Sequence, residues 1–264
     1  MNNLIFDTHA HYDDDVFNSD REELLSYLPQ NGIGCVIDVA SDGKSIERVT
    51  KLAHDYDYIY GAVGIHPDEI GDITDELIER IILLCKDEKI AAIGEIGLDY
   101  YRIKDNKSDQ IYWFERFADI AKQQGLPIII HSREAAEDTL ETIKRNRMAD
   151  TGAVMHCYSY SKETSKQLLD MGFYFGIGGV ATFKNAKKLI ETLEYLPMSS
   201  ILLETDCPYL APVPYRGKRN SSLYIPYIVK KISEIKNISE DEVINITYDN
   251  ALRLFKKIAI KSYD

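Results

Sequence analysis

Residues 127–131 read Pro127-Ile128-Ile129-Ile130-His131. Three β-branched residues in a row, with no polar alternation, describe a strand buried on both faces, as in a parallel sheet covered by helices. A helical stretch precedes it, with Ile111, Phe114, Phe117, Ala118 and Ala121 on one face and Gly125 as its stop. The same order of helix, turn and apolar run repeats in both directions. Toward the N-terminus the apolar runs are residues 90–94, 59–64, 35–40 and the opening Leu4-Ile5-Phe6. Toward the C-terminus they are residues 152–155, 173–177 and 200–204.

Between the runs lie amphipathic helices with recognisable starts. Asp20 with Glu23 has capping-box spacing ahead of Leu24, Leu25 and Leu28, and Ser239 with Glu242 repeats it near the end. Eight strand–helix units in 264 residues predict an α/β chain folded as a single (β/α)8 TIM barrel over residues 1–264, with an extra C-terminal helix. An open doubly wound sheet is the competing architecture. No strand, however, is followed by the spaced glycines of a dinucleotide or phosphate loop.

Composition narrows the function classes. An apolar share of 45% and a charged share of 28% are those of an ordinary globular protein, and no apolar run reaches the roughly 20 residues of a membrane span. A net charge of −12 argues against holding nucleic acid by charge alone, though a local basic patch remains compatible with it. The N-terminus carries no basic-then-apolar signal pattern. The four cysteines, Cys35, Cys85, Cys157 and Cys207, form no Cys-x-x-Cys pair, so a reducing, cytoplasmic location and a monomer are the default expectations.

Chemistry in such barrels sits at the carboxyl ends of the strands. There the chain places His9 and His11 after strand one, His66 after strand three, Glu95 at strand four, His131 at strand five, His156 at strand six and Asp206 at strand eight. Five of the six histidines occupy these ends; only His54 does not. His9 and His11, two apart on extended backbone, point the same way and can converge on one point. Imidazoles and carboxylates without cysteine suit divalent ions such as Zn²⁺, Mn²⁺ or Mg²⁺. The set is large enough for two: His9, His11 and Asp206 on one, His131 and His156 on the other, with Glu95 between. A bridging carboxylate holds ions about 3.5–4 Å apart, the spacing of sites for in-line displacement. Cys157 and Cys207 each follow a proposed ligand on extended backbone, and so are read as packing residues that point away.

The ordered motifs Asp7-Thr8-His9-Ala10-His11, Gly64-Ile65-His66-Pro67, Gly94-Glu95-Ile96-Gly97-Leu98-Asp99-Tyr100, Ile130-His131-Ser132-Arg133, His156-Cys157-Tyr158 and Glu204-Thr205-Asp206-Cys207-Pro208-Tyr209-Leu210 resemble those of the TatD family of metal-dependent deoxyribonucleases. The likeness runs over essentially the whole chain, through Asn250-Ala251-Leu252-Arg253-Leu254-Phe255. It implies a barrel, a two-metal site and hydrolysis of DNA phosphodiester bonds, with 3′→5′ exonuclease action on single strands or 3′ ends. It also implies the ligand set His9, His11, Glu95, His131, His156 and Asp206. One departure is Ser221-Ser222 after Asn220, where the family usually has an acidic residue and a proline.

For the remaining residues two readings stand side by side. Glu204 shares a face with Asp206 and either orients a ligand or contacts a third ion, or forms a buried ion pair. Asp206 both binds a metal and is a candidate acceptor of the water's proton. His66 either donates to a phosphate oxygen or stabilises the turn before Pro67. Arg133 either holds an anion with nearby N–H groups or makes a salt bridge at the barrel rim. Tyr100 and Tyr101 either stack on a terminal base or pack internally. Arg216, Lys218 and Arg219 are the densest basic cluster and the expected contact to the phosphate backbone. Asp13, Asp14 and Asp15 read as a solvated loop. Two rival classes are a small-molecule amide, lactone or phosphotriester hydrolase and a non-catalytic barrel. The first often bridges its metals with a modified lysine where this chain has Glu95; the second is disfavoured by a ligand set without gaps.

Overall fold

The computed structural model describes residues 4–102 and 105–258. Eight parallel strands follow one another in spatial order: β1 (Ile5–Ala10), β2 (Ile33–Val39), β3 (Ile59–Val63), β4 (Ile90–Asp99), β5 (Ile128–Arg133), β6 (Ala153–Met155), β7 (Tyr174–Ile177) and β8 (Ile201–Leu203). Helices α1 (Arg21–Tyr27), α2 (Gly43–Asp55), α3 (Asp75–Leu84), α4 (Lys107–Gln124), α5 (Ala136–Asn146), α6 (Lys162–Asp170) and α7 (Lys187–Tyr195) alternate with them. After β8 come α8 (Ile225–Lys236) and α9 (Glu240–Leu254). The last strand returns to the first: Asp206 N–H donates to His9 O at 2.9 Å, and His11 N–H donates to Cys207 O at 2.8 Å. The result is the (β/α)8 barrel with its extra C-terminal helix.

Two apolar clusters hold it. The larger lies between strands and helices and includes Ile46, Ile81, Phe114, Phe117 and Ile143. The smaller joins Phe6, Ile37, Ala92, Ile129, Val154 and Leu202 with Leu254 at the end of α9 and Phe255 just after it. Phe255 packs on Phe6, near the start of β1, with ring centroids 6.0 Å apart. The last helix therefore covers the end of the barrel opposite the histidines. Its placement is fixed by Asn250, whose Nδ2 donates to Met198 O (2.7 Å) and Ile201 O (2.9 Å). Among the described residues no helix is long and apolar enough to cross a membrane.

Three local expectations are corrected. Strand four does not stop at Glu95; it runs on to Asp99, past an irregular register between Ile93 and Ile96. Asp20 makes no side-chain cap on α1, because Arg219 claims its carboxylate with two hydrogen bonds. The capping box of Ser239 and Glu242 is present on α9. Asp13 is not solvated: it is buried and paired with Arg48 at 3.3 Å, whereas Asp14 is half-buried and Asp15 exposed.

Candidate metal centre

The strand ends converge because the backbones beneath them are close. Gly97 has φ 142°, and a Cβ there would stand 2.0 Å from His131 O, so only glycine lets β4 and β5 meet where Glu95 and His131 face each other. His131 Nδ1 lies 2.7 Å from Glu95 Oε1, and His156 Nε2 lies 3.7 Å from the same oxygen. The other Glu95 oxygen is 3.7 Å from His9 Nε2. His11 Nε2 is 3.1 Å from His9 Nε2 and 3.4 Å from Asp206 Oδ1. Asp206 Oδ1 is also 3.7 Å from His156 Nε2. Among the described residues four groups of donor atoms result, His9 with His11 and Asp206, His9 with Glu95 and His156, His66 with Asp99 and His131, and His156 with Cys157 and Glu204, and Glu95 reaches across to His131.

Of the four outward ring nitrogens, those of His11 and His131 are hydrogen-bonded, that of His156 faces Glu204 without hydrogen-bond geometry, and that of His9 is buried without a partner among the described residues. His11 Nδ1 donates to Val39 O at 2.7 Å, His131 Nε2 to Asp99 Oδ2 at 3.1 Å, and His156 Nδ1 lies 3.2 Å from Glu204 Oε1. What remains facing inward is Nε2 of His9, His11 and His156 and Nδ1 of His131. Without a cation, the ring nitrogens that crowd one another around two carboxylates are held there by protonation of three of the four rings. A divalent cation satisfies them, with the outward contacts setting each tautomer. The residues present fit such ions.

Charge balance without a cation follows the carboxylates. Burial opposes a charge on His156, but Glu204, Glu95 and Asp206 outweigh it and raise the ring to about 10. Burial likewise opposes His131 and His11, yet Glu95 with Asp99, and Asp206 with Glu95, raise them to about 9. His9 goes the other way: burial, then the neighbouring His156 charge, hold it neutral. Burial would raise Glu95, but the charges of His156 and His131 keep it ionised.

An open cavity of about 680 Å³ lies above this constellation, within the usual range for small-ligand sites. His66 lines it. Burial, then the charge of His131, depress His66 to about 3, so it is neutral. The Asp68 N–H donates to its Nδ1 at 3.2 Å, which assigns the ring proton to Nε2. Turn stabilisation and a free donor thus coexist in one side chain. Arg133 also lines the cavity, its guanidinium 3.8 Å above the exposed Tyr101 ring. Arg102 stands on the same wall, 3.1 Å from Asp68.

Other expected residues lie elsewhere. Tyr100 is buried and donates its hydroxyl to Asp138 at 2.6 Å, so its ring is not free to stack on a base. Arg216, Lys218 and Arg219 do not line the cavity: Arg216 lies over Phe183, and Arg219 covers Phe17 while it binds Asp20. Cys157 is not on extended backbone; at φ 44° it turns toward the cavity, and its N–H donates to Glu204 Oε1 at 2.7 Å. Glu204 thereby sits behind His156, buried, with Oε1 shared between the Cys157 N–H and the His156 ring. The divergent Ser222 donates to Asp7 Oδ2 at 2.6 Å, and Asn220 Nδ2 donates to Thr205 O (2.9 Å) and Tyr209 O (2.8 Å), which anchors the loop after β8.

Sequence reasoning passed over Asp99 and Tyr209. Asp99 is four residues beyond Glu95 on one strand, an even spacing that signals a shared face. Tyr209 carries no such signal. It is 54% exposed at the cavity wall beside Leu210, which adopts φ 53°.

A family model described as TatD related DNase matches residues 6–256. The chain is 40% identical over 253 residues to the uncharacterized metal-dependent hydrolase YabD of Bacillus subtilis, covering 96% of this chain and 99% of that one. It is 32% identical over 255 residues to the uncharacterized metal-dependent hydrolase YcfH of Escherichia coli, with 96% of each covered. Among solved structures, the TatD homologue YjjV of Escherichia coli superposes with a TM-score of 0.90 at 29% identity, over 97% of this chain and 99% of that one.

Proposed function

The chain belongs to the TatD-related DNase family and is a metal-dependent hydrolase, and from that premise we propose that it cleaves phosphodiester bonds at DNA ends with two divalent ions. The observation that carries this reading is Glu95, whose two oxygens face different histidines, His9 on one side and His131 on the other. In this reading His9, His11 and Asp206 would hold one ion and His131 and His156 the other, with Glu95 between them. Ions held there would supply neutralisation of phosphate charge and a more acidic water.

The chain's own groups supply the rest. Asp206 is the candidate proton acceptor, because its side chain is 17% exposed to the cavity against 5% for Glu95 and 1% for Glu204. Glu204 orients His156 from behind. His66 offers Nε2–H to a phosphate oxygen as a neutral donor, without competing for a cation. Arg133 and Arg102 give the cavity a positive wall on an acidic protein, suited to the phosphates flanking the scissile one. On the facing wall Arg48 pairs with Asp13 at 3.3 Å and Asp15 at 3.4 Å, so the preference for single strands and ends rests on the family resemblance.

The test is divalent-dependent cleavage of end-labelled single-stranded DNA, with RNA, duplex DNA, lactones and cyclic amides alongside. Shortening of DNA from its 3′ end, lost in folded Glu95→Gln and Asp206→Asn proteins, is the expected result. Preferential turnover of a lactone or amide would replace this reading with the small-molecule one. Near-normal nuclease turnover in either variant would remove the bridging and proton-accepting roles.

A further inference from the structure

His131 is held from both edges of its ring. Glu95 Oε1 stands 2.7 Å from Nδ1, and Asp99 Oδ2 stands 3.1 Å from Nε2. Asp99 is 1% exposed, and its other oxygen is also in use. Oδ1 accepts the backbone N–H groups of Tyr101 (2.8 Å) and Arg102 (2.9 Å). The Asp99 backbone is pinned in turn by Gln110 of α4, which accepts its N–H at 2.8 Å and donates to its carbonyl at 3.1 Å. This carboxylate has no freedom to turn.

Resting on the reading that His131 holds the second ion, we infer that Asp99 is a positioning residue with two linked tasks: it keeps the His131 proton on Nε2, so that the Nδ1 lone pair faces the cation, and it anchors the loop that presents Tyr101 and Arg102 to the substrate. A carboxylate only accepts, so the ring nitrogen that faces it must carry hydrogen. A metal-binding imidazole has one lone pair to give, and its outer partner decides which nitrogen offers it. Because the second oxygen holds the loop that carries Arg102, one side chain ties the second cation position to the phosphate-facing wall.

Asparagine at this position separates the two tasks. The loop N–H groups need an acceptor, so the amide oxygen of Asp99→Asn must turn to them, and its NH₂ must then face His131. That donor forces Nε2 to accept and moves the ring proton to Nδ1, where it blocks the cation. Asp99→Ala leaves the ring free to choose its tautomer but releases the loop.

The experiment is calorimetric titration of the full chain with Mn²⁺, paired with steady-state cleavage of a single-stranded oligonucleotide. The wild-type protein is expected to take up two ions. Asp99→Asn is expected to keep the first and bind the second about 100-fold more weakly, with the oligonucleotide KM little changed. Asp99→Ala is expected to weaken the second ion about tenfold, toward the lower end of such outer contacts, and to raise KM. A direct readout on the unmutated protein is the ¹⁵N spectrum of His131 with Mg²⁺ or Zn²⁺ bound, which must show hydrogen on Nε2. Hydrogen on Nδ1, normal second-ion affinity in Asp99→Asn, or identical losses in both variants overturns the inference. A wild-type protein that binds only one ion overturns the two-ion reading beneath it, and does so without reference to any variant.

Discussion

The carboxylate of Glu204 fills the space that a side chain on Gly176 would need: a Cβ there would come within 1.9 Å of Glu204 Oε2. Both residues lie at barrel strands that pair directly, and the carboxylate reaches past Gly176 toward Cys157 N–H and His156. One methyl group therefore tests the whole support of His156. Gly176→Ala is expected to push Glu204 aside and lower divalent-dependent turnover by about ten- to a hundredfold, the usual cost of losing such a partner. Turnover and Mn²⁺ affinity equal to wild type would show that Glu204 does not position His156.

Tyr209 and Leu210 form an exposed shelf on a turn next to Asp206. Its Tyr209 N–H donates to Asp206 O at 2.8 Å, and Asn220 holds the Tyr209 carbonyl. A rigid, exposed aromatic beside the reacting group suits a base stacked at the substrate end, an interaction worth about 1–3 kcal/mol. Tyr209→Ala is expected to raise KM by roughly five- to 150-fold on that scale for an oligonucleotide with a normal terminal base. For one ending in an abasic nucleotide, KM should barely move. Equal effects on both substrates would assign Tyr209 to packing.

Asn220 is fully buried and satisfies three backbone groups: the carbonyls of Thr205 and Tyr209, and the N–H of Ser221. Asn220→Ala leaves all three without this partner, with the Thr205 carbonyl and the Ser221 N–H in buried surroundings. The expected cost is about 2–4 kcal/mol, counting roughly 1–3 for each buried group left unpaired and allowing for partial relaxation. Denaturant unfolding measures it directly. A loss below about 0.5 kcal/mol, the range of ordinary surface changes, would mean that the loop after β8 is held by other contacts.

Removing divalent ions with a chelator should leave the barrel folded, because the clusters around Phe6, Ile129, Phe114 and Phe117 contain no candidate ligand. Adding Mn²⁺ back at a hundred times its Kd should stabilise the protein by about 2.7 kcal/mol per site. For a chain of this size that is roughly 5–10 °C in Tm. Loss of the helical circular dichroism on chelation would assign the ions a structural role, and an unchanged Tm on Mn²⁺ addition would argue that the site holds none.

The sequence alone determined the units and their order. Runs such as Ile128-Ile129-Ile130, helix periodicity such as Phe114, Phe117 and Ala121, and the even spacing of His9 and His11 are properties of neighbouring residues, so they can be read without a fold. Barrel topology then followed from repetition, and with it the placing of histidines at one end.

Only the tertiary structure decided the pairings. Arg219 met Asp20 instead of solvent across 199 positions, which left α1 without its expected cap and took the arginine out of consideration for phosphate. Tyr100 turned inward to Asp138 while Tyr101 stayed out beneath Arg133. Asp99 became the partner of His131 only when β4 ran beyond Glu95, and Cys157 left extended backbone so that its N–H could reach Glu204. In each case a polar group found its partner on a distant segment. Periodicity says which way a side chain faces, but the partner that completes its hydrogen bonds arrives only when the barrel closes.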